Sequence, residues 1–166
     1  FLSDNGCPVQ FGFCTPDHEW GAGKFTYLEG GTRVPFVMSW PDGLAARGVS
    51  DSPVSAVDIV STVLHAASPD SALPRELDGR DLVATATTPD PDRLLVWGQE
   101  PVYAARRGNY KLWQSRDQNR THLYDLSNDP AELNDLSPDR AQEAEQLGQA
   151  IDQFRRGLPK PLWPLH

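Results

Sequence analysis

Three short segments carry side chains whose types suit joint chemistry. Asp4-Asn5-Gly6 sets a carboxylate beside an amide where the chain turns. Neighbouring oxygen donors of that kind suit a hard divalent cation, which collects roughly six to eight oxygens. Gly21-Ala-Gly23-Lys24 puts one isolated ammonium on a glycine-hinged loop, and a compact ammonium can steady negative charge developing on an ester oxygen. His18, just upstream, adds an imidazole able to contact a substrate or move a proton. Each feature also has an ordinary explanation: Asp-Asn-Gly is a common turn, and a lone lysine is normally solvated. Arg33, at the entrance of the next strand, is expected to pair with Glu29 or another acidic neighbour and hold the Lys24 loop in place, and Glu29 likewise is read as structural.

These residues need elements to position them. Phe1-Leu2 reads as the apolar end of a strand breaking into the Asp4 turn. Val34-Pro-Phe-Val-Met-Ser-Trp40 has strand length and composition and stops at Pro41-Asp-Gly43. Ser52-Pro53 is a helix start, with serine as cap and proline in the first turn. Val54, Val57, Val60, Leu64 and Ala67 would form that helix's buried stripe, ending at Ser68-Pro69. Prolines punctuate residues 68–93, which read as a linker or surface crossing. Leu94–Trp97, Val102–Ala105, Tyr110–Trp113 and His122–Leu126 recur at the spacing of an antiparallel meander. A last helix starts at Ser137-Pro138, burying Ala141, Ala144, Leu147, Ile151, Phe154 and Leu158, and stops at Gly157 and Pro159. The tail beyond is extended, with Trp163 as a packing residue.

Composition narrows the partners. The chain has 166 residues, enough for a real core, and its 15 prolines and 13 glycines favour a loop-rich α/β or α+β protein over a helical bundle. A net charge of −8 leaves no basic footprint for nucleic acid or an anionic membrane surface. No apolar run reaches the ~18 residues of a spanning helix. Phe1 falls in mid-strand, so the chain is read as a fragment. Cys7 and Cys14 form either a short-loop disulfide, suited to an exported protein, or two free thiols. A phosphate-loop reading of Gly23-Lys24 fails, because that motif needs glycine at His18 and a hydroxyl residue at Phe25.

Taken in order, Ser3-Asp-Asn-Gly6, Gly23-Lys24, Glu29-Gly-Gly-Thr-Arg-Val-Pro35, Ser52–Val60, Leu77-Asp-Gly-Arg-Asp-Leu82, Ala105–Leu112 and Leu123–Pro130 resemble the second half of a type I sulfatase of the alkaline-phosphatase-like superfamily. The resemblance covers nearly the whole chain. It implies the end of an α/β catalytic domain over residues 1–75, a linker over 76–93, and a small C-terminal subdomain over 94–166, an antiparallel sheet with a packed helix. It also implies hydrolysis of a sulfate ester, with a sulfated glycan among the candidate substrates. Asp4 and Asn5 would be ligands of a divalent cation such as Ca2+. Lys24 would contact the sulfate and act in catalysis, and His18 would stand at the pocket rim. The formylglycine nucleophile and the other metal ligands would lie in an N-terminal half of the same protein, which this chain needs as its partner. Location would be periplasmic or extracellular. Cys14-Thr-Pro-Asp-His18 mimics the sequence that yields formylglycine, but His18 replaces the required arginine and the segment follows Asp-Asn-Gly, so it is rejected as the nucleophile. The rival readings are a phosphonate monoester or phosphodiester hydrolase of the same superfamily, and a non-catalytic carbohydrate- or ion-binding module.

Overall fold

Four β-strands in sequence order make the central feature, because each short β-rich run is followed by a turn that returns the chain beside it. The computed structural model describes residues 1–11, 20–44, 48–68 and 77–159. Strands β1 (Leu95–Gln99), β2 (Val102–Arg107), β3 (Tyr110–Ser115) and β4 (Arg120–Asp125) pair antiparallel in the order β1-β2-β3-β4, the meander expected from spacing. In register, Val96 faces Ala105, Ala105 faces Leu112, and Leu112 faces Leu123. Alternation therefore lines one face with small and branched apolar side chains. Helix α4 (Ala141–Gly157) covers that face. Leu147 and Ile151 are buried against Tyr103, Ala105, Leu112 and Leu123, with Ala144 and Phe154 alongside. The expected stripe thus holds at its centre, although Ala141 and Leu158 at its ends are exposed. The helix also begins later than Ser137-Pro138. Asp135 accepts from the Ser137 N–H at 2.8 Å and its hydroxyl at 3.0 Å, which holds that segment in a turn.

The chain forms two compact units, Phe1–Val37 with Leu94–His166, and Met38–Arg93. This grouping by contact differs from the division at 75 and 93 inferred from sequence; both begin a segment at Leu94. In the first unit, the segments around Leu2 and Phe36 join in an isolated antiparallel bridge. The Ser3 N–H donates to the Pro35 carbonyl at 3.1 Å, and the Val37 N–H to that of Phe1 at 2.8 Å. The strand expected over 34–40 is therefore no more than this bridge among the described residues, because its partner segment turns away at Asp4. Arg33, placed at a strand entrance by sequence, instead ends the short helix α1 (Glu29–Thr32).

The second unit departs most from expectation. Helix α2 runs Val57–Ala67, not from Ser52, and no side chain caps it at Ala56. Asp58 turns back instead and accepts from the Ser55 N–H at 2.7 Å. The face buried is polar, Asp58, Ser61 and Thr62, while Val54, Val57, Val60 and Leu64 are exposed. The reason is a set of partners that periodicity does not report. Arg93 grips Asp58 with two hydrogen bonds of 2.6 and 2.7 Å, the Arg80 N–H adds a third at 2.8 Å, and Thr62 accepts from the Leu82 N–H at 2.8 Å. Residues 82–87, read as linker, form helix α3 (Leu82–Thr87), capped by the Asp81 carboxylate on the Val83 N–H at 2.9 Å. No helix among the described residues is long and apolar enough to cross a membrane.

Candidate functional site

Helix α1 is where the candidate chemistry converges. Its Gly31 carbonyl accepts from the Gly6 N–H at 3.0 Å, directly after Asp4-Asn5, and the Lys24 N–H donates to the Cys7 carbonyl at 2.8 Å. The Asp4 turn and the Lys24 loop are therefore hydrogen-bonded neighbours, though far apart in sequence. Glycine makes the approach feasible. A Cβ on Gly6 would overlap the Gly30 carbonyl, and one on Gly31 would overlap the carbonyls of Thr26 and Gly23.

The Lys24 loop is wound tightly. Ala22 and Phe25, on either side of Gly23-Lys24, both adopt left-handed φ angles of 58° and 73°. Non-glycine residues hold that conformation only where their surroundings over-determine it, and such strain concentrates at functional loops. Thr26 braces the turn through its hydroxyl, 2.7 Å from the Gly23 carbonyl. Lys24 is half-buried, its Nζ 5.3 Å from the centre of the exposed Phe25 ring. Asp4 is exposed and Asn5 half-buried. The Asn5 Nδ2 donates to the Gly6 carbonyl at 2.9 Å, which leaves its oxygen as the end available to an ion. Two adjacent hard oxygens fit one corner of a calcium-type site. Among the described residues no group of three or more His, Cys, Asp or Glu side chains is arranged to hold a metal. His18 lies outside the described residues, as do Cys14 and Trp163. Cys7 is disulfide-bonded.

Behind α1 stands a buried ionic cluster that sequence reading missed. Lys111, fully buried near the start of β3, lies 2.9 Å from Glu29 Oε1 and 2.8 Å from Glu132 Oε1. The Glu29 N–H also donates to Glu132 Oε2 at 2.5 Å. Arg33, the expected partner of Glu29, stands 3.9 Å away and lies over the Trp20 ring at 4.0 Å; Arg106 is 3.8 Å from the same carboxylate. Burial, reinforced by the Glu29 charge, pushes the Glu132 carboxyl above its ordinary 4.5, and Lys111 opposes the push without cancelling it. The acidic excess also reaches Tyr124, opposite Lys111 in the sheet. Its phenol is pushed up to about 12, first by burial and then by Glu132, Asp135 and Asp129. The only clue in the sequence was a lysine between Tyr110 and Leu112, on the face opposite the apolar core. His122, which carried no signal, bonds through Nδ1 to Asp135 at 3.1 Å.

The architecture has known counterparts. A solved structure described as Ps i-CgsB in complex with k-i-k-neocarrahexaose superposes with a TM-score of 0.81 at 24% identity, covering 98% of this chain and 37% of that one. The two chains thus share a fold. A family model for the C-terminal part of N-sulphoglucosamine sulphohydrolase matches residues 16–156, and the chain belongs to that family. Lys24 falls inside the match; Asp4 and Asn5 precede it. Among curated relatives, the N-acetylgalactosamine-6-O-sulfatase of Bacteroides thetaiotaomicron is 22% identical over 182 residues, 93% of this chain and 35% of the relative. The N-acetylgalactosamine-6-sulfatase of Mus musculus is 31% identical over 137 residues, 77% of this chain and 24% of the relative. The chain therefore spans well under half the length of these relatives.

Proposed function

We propose that this chain is the C-terminal part of a sulfatase that hydrolyses a sulfate ester, and that it contributes Asp4, Asn5 and Lys24 to the active site. The observation that carries the reading is the pair of backbone bonds that brings the Asp4 turn and the strained Lys24 loop together around α1. Hydrolysis adds water across the bond between sulfur and the bridging oxygen, so negative charge grows on that oxygen as the bond breaks. The Lys24 ammonium, raised on a braced loop, binds a sulfate oxygen and offsets that charge as it develops. Asp4 and Asn5 would hold a hard divalent cation, calcium or another, and the ion when bound would polarise the sulfate. We assign His18 a substrate-binding part, as an imidazole able to contact the sulfate ester or move a proton. The formylglycine nucleophile belongs to the N-terminal half of the same protein. The exposed stripe of Val57, Val60, Val63 and Leu64 on α2 supports a partner of that kind, being too apolar for a solvent face.

A sulfated glycan is the substrate class we infer. Support comes from relatives named for N-acetylgalactosamine sulfates and from the structural counterpart bound to neocarrahexaose. The disulfide at Cys7 supports an exported, periplasmic or extracellular protein. In the full-length protein, Lys24→Ala should lower kcat on 4-nitrophenyl sulfate by about a hundredfold or more with the melting temperature held. Turnover near wild type would remove Lys24 from the site. Asp4→Ala should abolish metal-dependent turnover and lower bound calcium measured by elemental analysis; an unchanged metal content would refute that assignment.

A further inference from the structure

We propose that Lys111 is a positioning residue for this reaction: clamped between Glu29 and Glu132, it fixes where α1 sits and thereby where the Lys24 ammonium stands. The inference rests on the reading of Lys24 given above. Helix α1 has four residues, two of them glycine, and no side chain caps its start at Leu28. A helix that short has no stability of its own, so its place must come from tertiary contacts. Those contacts are unusually specific. The Glu29 carboxylate is held by Lys111, 82 residues away in sequence, and its N–H by Glu132. Glu132 itself keeps a left-handed φ of 59° to reach inward. From α1 the link to Lys24 is backbone against backbone. The Gly30 N–H donates to the Gly21 carbonyl at 2.9 Å, and Gly31 packs on Gly23 and Thr26. One buried ammonium therefore fixes the helix against which the Lys24 loop is braced.

Stability alone is a poor account of this cluster. Two carboxylates crowd one fully buried ammonium, and among the described residues Glu29 Oε2 completes no hydrogen bond, with Arg106 at 3.8 Å and Arg33 at 3.9 Å. Buried ions in so uneven a set cost more in lost hydration than they return, and apolar residues of similar size would hold the fold as well. What apolar residues cannot do is fix an atom by direction. A displacement of the ammonium of about 1 Å is enough to slow a reaction by two orders of magnitude.

The test is a double-mutant cycle in the full-length protein, with 4-nitrophenyl sulfate as substrate. It compares Lys24→Ala, Lys111→Met and the pair, with thermal melting recorded for each. The shape-keeping set Glu29→Gln, Lys111→Met, Glu132→Gln carries the same cycle without leaving a fully buried charge unpaired, since Arg33 and Arg106 reach solvent. In both forms kcat should fall about tenfold or more with Lys24 present, yet by less than about twofold once Lys24 is alanine. Wild-type kcat in the neutral set, or losses that multiply with that of Lys24→Ala, would overturn the positioning role while leaving Lys24 in the site. If Lys24→Ala itself left turnover unchanged, the active-site reading would fail and this inference with it.

Discussion

The two compact units each bury an ionic centre, and the two are built on opposite principles. In Met38–Arg93, Asp58 is matched in full: one guanidinium grips both its oxygens, and the N–H groups of Arg80 and Ser55 take the remaining lone pairs. In the unit containing the sheet, Glu29 and Glu132 crowd one buried ammonium, and Glu29 Oε2 completes no hydrogen bond, its arginine neighbours standing at 3.8 and 3.9 Å. Burial is nearly complete at both, so burial does not explain the contrast. Partner supply does. Where donors equal lone pairs the Asp58 carboxyl is held low; where two buried carboxylates crowd one ammonium the Glu132 carboxyl is pushed up. A satisfied pair stitches a helix to a loop. The shared ammonium instead ties helix α1 to the sheet.

The strongest way to break this contrast is to strand Asp58. Arg93→Met should destabilise the protein by about 3–5 kcal/mol, since it leaves a buried carboxylate uncompensated. Urea denaturation reads the loss, and kcat of the folded fraction should not change. An equal loss of kcat in folded protein would erase the distinction between a structural and a positioning centre.

Acid sharpens the comparison, because the two centres have opposite signs. Burial raises Asp58, but the Arg93 hydrogen bonds, the two N–H donors and the Arg93 charge outweigh it, so its carboxyl lies below the ordinary 3.8. The folded state then binds fewer protons than the unfolded one between those values. Asp58's stabilisation is present above 3.8 and lost as pH falls through its lower folded value. Glu132 lies above its ordinary 4.5, so the folded state binds the extra proton. Its favourable contribution is complete below 4.5 and lost as pH rises through the higher folded value. Thermal melting between neutral pH and pH 4.5 should therefore show a Glu132-dependent gain on acidification that Glu132→Gln abolishes. Persistence of the gain in that variant would assign it elsewhere. The smallest effect expected is on stability at neutral pH. Glu132→Gln should change it by no more than about 1 kcal/mol, because removing surplus charge offsets the weakened ion pair.

Local pattern was a good guide wherever one sequence window contained the whole cause. The meander follows from β-rich runs and turn residues at short spacing, and α4 from an apolar stripe that meets Leu112 and Leu123. The Asp4 and Lys24 segments stood out because loops rich in glycine advertise themselves. Helix α2 defeated the same method. Its valines have faultless helical spacing, yet Asp58 decides which side turns inward, and Asp58 answers to Arg93, 35 residues on. Glu29 was expected to pair with Arg33 and does so at 3.9 Å, but its closest cation is Lys111 in the sheet at 2.9 Å.

The amino-acid order by itself determined the sheet, the terminal helix and the kinds of atoms available for chemistry, since periodicity and turn preference act over a few residues. Only the tertiary structure decided that the Asp4 turn and the Lys24 loop share one short helix as their support, and that a lysine from β3 anchors it. Electrostatic pairing depends on distance in space, and the window in which a helix or strand is legible never spans the residues that meet there.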